Sequence, residues 1–92
     1  MKRGMRHTEK FKNEFALWQK KFGVVVRRLR KKAGLSRPEL ARKARFSQTT
    51  LEHIEQGHGN PGLTRMVNLA HALNHTLSYL FRLTEELNDE KR

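Results

Sequence analysis

The chain has 92 residues, enough for one small domain, and its lack of cysteine excludes disulfides and cysteine-based zinc sites. Its 20 Lys and Arg outnumber 9 Asp and Glu, and 16 of the basic but only 3 of the acidic residues lie in residues 1–45. Such a cationic surface favours a polyanion, and we expect nucleic acid rather than an anionic membrane. With no apolar run of about 18 residues, no membrane span is expected. No apolar segment follows the basic N-terminus, so no signal peptide is expected either, and the predicted location is the cytoplasm.

The first part of the chain predicts a basic arm followed by an amphipathic helix. Residues 1–7 show no periodicity and are expected to be disordered. From residue 8 onward, apolar side chains recur at spacings of four and three, which is typical of a helix with one apolar face; they are Phe11, Phe15, Trp18, Phe22, Val25 or Val26, and Leu29. Gly23 interrupts this pattern, so residues 8–21 form either a separate helix or an extension of the next one.

Two short helices follow, each with a clear start signal. Ser36 and Glu39 have the spacing of a capping box, with Pro38 in the first turn of the second helix. After a break at residues 45–46, Ser47 is the predicted N-cap of a third helix that ends near Gly57.

The rest of the chain predicts two more helices and a tail. Apolar residues from Leu63 to Leu73 form the face of a fourth helix that stops at Asn74, a residue that tolerates the left-handed conformation. Thr76 can cap a last short helix, and residues 84–92 are expected to be an acidic, fraying tail. No strand pattern occurs, so the predicted fold class is all-α.

Two short helices joined by about three residues are typical of a helix-turn-helix. The segments FGVVVRRLRKKAGLS, PELARKA, FSQTTLEHIEQG, MVNLAHALN and LSYLF resemble the XRE-type helix-turn-helix family of phage repressors and Cro proteins. The similar region covers about two-thirds of the chain, from Phe22 to Phe81. The resemblance implies a compact five-helix domain over residues 22–83, with an extra or extended N-terminal helix. Its second helix would brace on the DNA backbone, and its third would enter the major groove.

The third helix is polar on its outer side and carries no Lys or Arg. Under the resemblance, Gln48, Thr49 and Thr50 begin this helix, and His53 lies one turn beyond them. These side chains can distinguish base edges, whereas cations bind phosphates without regard to sequence. The expected DNA-backbone contacts are therefore Arg27, Arg28, Arg37, Arg42, Lys43, Arg45 and Ser47.

Two of these residues depart from the family pattern. The family often has Gln where this chain has Arg37, and Arg37 is expected to bind a phosphate or to read a guanine. The family commonly has Gly where this chain has Arg45, at a turn position that tends to need positive φ. Either the turn is built differently, or Arg45 accepts the strain. The resemblance also implies a structural pair between Arg30 and Glu55.

Aromatic residues outside the similar region need burial. Phe11, Phe15 and Trp18 either extend the core, form a dimer interface or bind a membrane surface. We expect them to form a composite dimer interface with Tyr79 and Phe81 of the last helix.

The sequence therefore predicts a bacterial or phage regulator, a repressor that binds double-stranded DNA as a homodimer on a roughly palindromic operator. Alternatives of the same fold are a restriction-modification controller and an antitoxin, which would also bind a toxin protein. A protein–protein adaptor or RNA-associated factor is the alternative from another class. The chain has no phosphate-binding glycine loop or nucleophile motif, so we expect no enzyme, and no cofactor, metal or small-molecule ligand is predicted.

Overall fold

The computed structural model describes the backbone of residues 2–87 and the side chains of residues 12–87. This part of the chain forms five helices and no strand: α1 (Lys2–Lys32), α2 (Arg37–Ala44), α3 (Gln48–Glu55), α4 (Gly62–Ala72) and α5 (Leu77–Glu86). The predicted all-α, five-helix architecture is confirmed.

Helix α1 is a single continuous helix of 31 residues that passes through Gly23 without a break. Of the two arrangements open from the sequence, the extended helix is therefore correct. Residues 2–7, which show no periodicity in the sequence, belong to the same helix. Lys, Arg and Met have good helix propensity, and each residue added to an existing helix forms a further hydrogen bond at little entropic cost.

Local capping interactions define where the shorter helices begin. In the predicted capping box, the Glu39 N–H donates to Ser36 Oγ at 3.2 Å, and the Ser36 N–H donates to Glu39 Oε1 at 2.8 Å. The Tyr79 N–H donates to Thr76 Oγ1 at 3.1 Å at the start of α5. Asn74 has φ 65° directly after α4, as predicted for a residue that ends a helix.

The core lies where the five helices converge. Helix α1 packs on α3 and α5, α2 packs on α3 and α4, and α4 packs on α5. The buried apolar residues come from all five helices: Phe22, Val25, Val26, Leu40, Ala41, Ala44, Leu51, Ile54, Leu69, Ala70, Leu73 and Leu80. Because α2 and α3 both contribute to this core, their relative orientation is fixed by the whole domain.

Gly23 allows the closest approach between α1 and α3. A Cβ atom at this position would lie 2.8 Å from the Glu55 carbonyl oxygen and still closer to that of Ile54. Both obstacles are backbone atoms, so they could move only if the helix moved. The glycine that weakens α1 in the sequence pattern is thus the residue that lets α1 pack against the end of α3.

Helix α5 is longer than predicted. It continues to Glu86, and Thr84 is fully buried, with its hydroxyl donating to the Leu80 carbonyl at 2.8 Å. Residues 84–86, which the sequence assigns to the acidic tail, therefore belong to α5, where Thr84 bonds to the helix and packs in the core. Residues 88–92 lie outside the described part of the chain.

Candidate nucleic-acid interface

The turn between α2 and α3 places Arg45 in the left-handed conformation, with φ 65° and ψ 42°. The Phe46 N–H donates to the Ala41 carbonyl at 3.1 Å, and the Arg45 N–H donates to the Arg42 carbonyl at 3.2 Å. These bonds satisfy the last carbonyls of α2, as in a Schellman motif. Of the two alternatives for Arg45, the structure shows the strained one, and its side chain is exposed.

Ser47 caps α3 as predicted. Its Oγ accepts from the Thr50 N–H at 3.0 Å and donates to Thr50 Oγ1 at 2.9 Å. The Ser47 hydroxyl is therefore hydrogen-bonded within the first turn of α3. The cap leaves the backbone N–H groups of this turn as the groups that can bind an anion there.

The first turn of α3 presents the predicted reading residues to solvent. Gln48, Thr49 and His53 are exposed, whereas Thr50 is half-buried at the edge of the same surface. Leu51 and Ile54 are buried, and they attach the opposite face of α3 to the core. The helix thus combines a fixed apolar side with a free polar side.

Two further polar residues share this outer face. Glu52 lies one turn after Gln48, and Gln56 lies one turn after Glu52, which places both on the same side of α3. Glu52 is half-buried and Gln56 is exposed. The i, i+4 spacing from Gln48 is the sequence signal that adds them to Gln48, Thr49, Thr50 and His53. A carboxylate at this place can accept from the amino group of cytosine.

Five of the cationic side chains predicted to contact the DNA backbone are exposed. Arg27 and Arg28 of α1, Arg42 and Lys43 of α2, and Arg45 of the turn are all exposed. The hydrogen bond from the Ser36 backbone lowers the pKa of Glu39 below its usual value, and the charges of Arg42 and Lys43 contribute to the same shift. Arg42 and Lys43 in the last turn of α2 thus supply positive charge that suits phosphates.

Glu55, the last residue of α3, binds two arginines. Arg30 donates through Nε to Glu55 Oε2 at 2.7 Å and through Nη2 to Oε1 at 3.2 Å, so the expected pair is present. Arg37 also donates to Glu55, through Nε to Oε1 at 3.1 Å, which the sequence did not predict. The Arg37 side chain remains 41% exposed, and its Nη atoms form no hydrogen bond within the described residues. Glu55 thus orients a cation that is still accessible.

The aromatic residues proposed for a dimer interface fall into two groups. The rings of Trp18 and Phe81 meet edge to face with centroids 5.7 Å apart, and Phe15 is 43% exposed beside them. The side chain of Phe11 lies outside the described residues. Tyr79 contacts His75 instead, with centroids 4.5 Å apart, because it projects from α5 about 200° away from Phe81.

Comparison with known proteins now decides the family. Residues 21–77 match the helix-turn-helix domain family. The chain belongs to this family. The match confirms the resemblance seen in the sequence, and it begins near Lys21, so most of the first two-thirds of α1 lies outside it. No curated protein sequence matches the chain.

Two solved helix-turn-helix proteins share the fold. The restriction-modification controller C.AhdI from Aeromonas hydrophila is 33% identical, with a TM-score of 0.67 over 68% of this chain and 96% of that chain. The clp gene regulator ClgR from Corynebacterium glutamicum is 22% identical, with a TM-score of 0.69 over 74% of this chain and 88% of that chain. With its family established and a polar α3 exposed, this helix-turn-helix protein is a DNA-binding regulator. No described helix is long and apolar enough to span a bilayer.

Proposed function

We propose that this helix-turn-helix protein is a transcriptional repressor that binds, as a homodimer, a roughly palindromic operator in the cytoplasm of a bacterial or phage-infected cell. The observation that carries the proposal is the arrangement of α3. Its exposed first turn offers Gln48 and Thr49 for base edges, while cations on the neighbouring elements are available for phosphates. Affinity and sequence choice thus come from different side chains.

A homodimer follows from the size of the reading surface. Helix α3 has eight residues, and one such helix covers only about four or five base pairs. Two copies related by a two-fold axis place two such helices about 34 Å apart on one side of the duplex. A palindrome with half-site centres about 10 base pairs apart, or a multiple of that spacing, is the DNA that matches this symmetry.

Selection of bound sequences from random duplex DNA tests the proposal. We expect an inverted repeat with the stated spacing, and repression of a reporter whose promoter contains it. Enrichment of a single unpaired half-site would contradict the homodimer, and activation of the reporter would contradict the repressor role. Binding without preference among duplexes would favour an adaptor or RNA-associated factor.

A second candidate, control of a restriction-modification system, is supported by the 33% identity to C.AhdI over nearly all of that chain. This candidate keeps the same DNA-binding surface and changes only the target. The selected operator sequence distinguishes the two functions: a controller would bind upstream of a restriction or methyltransferase gene and of its own gene. A selected operator found only at unrelated promoters would contradict it.

A further inference from the structure

An apolar groove of about 410 Å³ opens between α1, the loop that joins α3 to α4, and α5. Most of its walls are apolar side chains, namely Phe15, Trp18, Phe22, Pro61, Met66 and Phe81. The edge contact between Trp18 and Phe81 holds α1 against α5 along this groove. An exposed aromatic side chain such as Phe15 at the edge of an apolar groove is a candidate contact for a partner.

The apolar face of α1 continues beyond the helices that pack against it. Phe22 and Val25 are buried in the core, Trp18 is half-buried, and Phe15 is 43% exposed, although all four lie on one face. A helix of 31 residues is about 46 Å long, close to the 48 Å length of the molecule, whose next dimension is only 26 Å. The N-terminal part of α1 therefore extends beyond the domain, and Phe15, the first aromatic residue whose side chain is described, is incompletely covered.

We propose that a second copy of this chain covers this face, with the sides of the two α1 helices that carry Phe15 and Trp18 packed against each other about a two-fold axis. The inference rests on the proposed function, in which two copies read two half-sites. A two-fold interface requires a surface that is complementary to itself. The aromatic face of α1 meets this requirement. Its Trp18 already packs on an aromatic side chain of the same chain, and its Phe15 can pack in the same way on the partner.

The residues that line the groove favour a second copy of the chain over nucleic acid as its occupant. No Lys or Arg is among its lining residues in the described part of the chain, and the acidic residue among them is Glu14. A phosphate backbone would find no lysine or arginine in this lining and would be repelled by the Glu14 carboxylate. A second aromatic stripe, in contrast, gains burial of large apolar anchors, which dominate the energetics of protein interfaces.

The position of the groove is compatible with DNA binding. It meets α3 only at Ile54 and at the following loop, which is the opposite end of that helix from Gln48. The side chain of Gln19 donates from Nε2 to the Gly59 carbonyl, so the same part of α1 is bonded to this loop. A partner seated in the groove would thus leave the polar face of α3 free, and it would contact the segment that directly follows α3.

Single-cysteine cross-linking tests the interface, because the natural chain contains no cysteine. We expect Phe15→Cys to form a disulfide-linked dimer rapidly under mild oxidation, since residues near a two-fold axis face their own copies. Leu17→Cys is the matched control: Leu17 is 39% exposed on the same helix but points about 200° away from Phe15. Equal cross-linking of the two variants, or none with Phe15→Cys, would overturn the proposal.

Sedimentation of charged variants gives an independent measurement. We expect Phe15→Glu to raise the dimer dissociation constant about tenfold or more, because it buries a charge against its own copy. Leu17→Glu adds the same charge and should dimerise like the parent, and circular dichroism checks that both variants are folded. A Phe15→Glu protein that dimerises like the parent, or a parent that stays monomeric even on its operator, would overturn the interface.

Measurements of operator binding and of lipid binding distinguish the proposed interface from another dimer surface and from a membrane-binding surface. A Phe15→Glu chain that keeps its sequence preference but binds the full operator more weakly supports the interface. If the parent dimerises through another surface, the inference fails while the proposed repressor function stands. Trp18, the sole tryptophan, reports a third occupant. A blue shift of its emission with anionic vesicles, but not with rising protein concentration, would overturn the proposal in favour of a membrane surface.

Discussion

Arg30 and Glu55 join the first and third helices through a two-point ion pair that is almost closed to solvent. The side chains are only 8% and 2% exposed, and the Nε to Oε2 distance is 2.7 Å. A buried charge is strongly destabilising without its partner, so this pair restricts the angle at which α3 can leave the core. Arg37 binds the same carboxylate, and α2 is thereby tied to the same point.

We expect Glu55→Gln to lower the free energy of unfolding by about 3 kcal/mol, because it leaves the buried guanidinium of Arg30 without a counter-charge. Arg37→Gln removes a contact whose arginine is 41% exposed, and it should cost less than about 1 kcal/mol. Urea unfolding of the two variants measures the difference. Equal losses would show that the buried pair has no special role in the fold.

Gly23→Ala tests the close contact between α1 and α3. Alanine normally favours a helix by up to about 1 kcal/mol over glycine, but here its Cβ would collide with the carbonyls of Ile54 and Glu55. We expect a net loss of about 1–3 kcal/mol in unfolding free energy, together with weaker operator binding because the end of α3 is displaced.

Gly34→Ala is the control for this substitution. Gly34 has φ 73°, and a Cβ atom there would project into open space, so alanine adds backbone strain of about 1 kcal/mol but no collision. Operator affinity of the folded Gly34→Ala protein should match the parent. A Gly23→Ala protein more stable than the parent would mean that residue 23 behaves as an ordinary helix position.

The sequence predicted those features that depend on neighbouring residues. The caps at Ser36, Ser47 and Thr76 use side chains three residues from the groups they bind, so spacing alone reveals them. The Arg37–Glu55 contact and the collision at Gly23 depend on how helices cross. Their partners lie 18 or more residues apart, and no periodic pattern records that distance.

The limits of α1 and α5 were missed for a related reason. A helix that extends beyond its domain, or one whose polar Thr84 is buried, breaks the rule that apolar residues mark the packed face. The face of α3 was predicted more completely because it follows helical spacing, although Glu52 and Gln56 were left out. In this chain, local signals were sufficient for the elements, and the crossing angles required the structure.

Arg45→Gly should raise stability and weaken DNA binding at the same time. Glycine relieves a left-handed conformation that costs a residue with a Cβ about 1 kcal/mol, so unfolding free energy should rise by a similar amount. If the parent dimer neutralises about six phosphates, the slope of log K against log salt is near −5, and loss of one contact per half-site makes it shallower by about 2.

Asn74→Gly provides the matched comparison for Arg45→Gly, since Asn74 has the same φ of 65°. Asparagine tolerates this conformation, so the gain in stability should be smaller, and the salt slope should not change. Titrations of operator binding from low to moderate salt measure both slopes. A slope that is unchanged by Arg45→Gly would show that Arg45 does not bind a phosphate.

Substitutions of Gln48 and Arg42 should distinguish base recognition from phosphate binding. The Gln48 amide, exposed at the first position of α3, offers a donor and an acceptor that match adenine, whereas Arg42 lies on α2, where it is expected to bind a phosphate. We expect Gln48→Ala to cost about 1–3 kcal/mol on the selected operator and much less on random DNA. Arg42→Ala should weaken binding to both by a similar factor, because phosphates are the same in every sequence. Fluorescence anisotropy with both duplexes measures the four affinities at one salt concentration. An equal loss on both duplexes for Gln48→Ala would mean that Gln48 positions the protein and that the sequence is read elsewhere on α3.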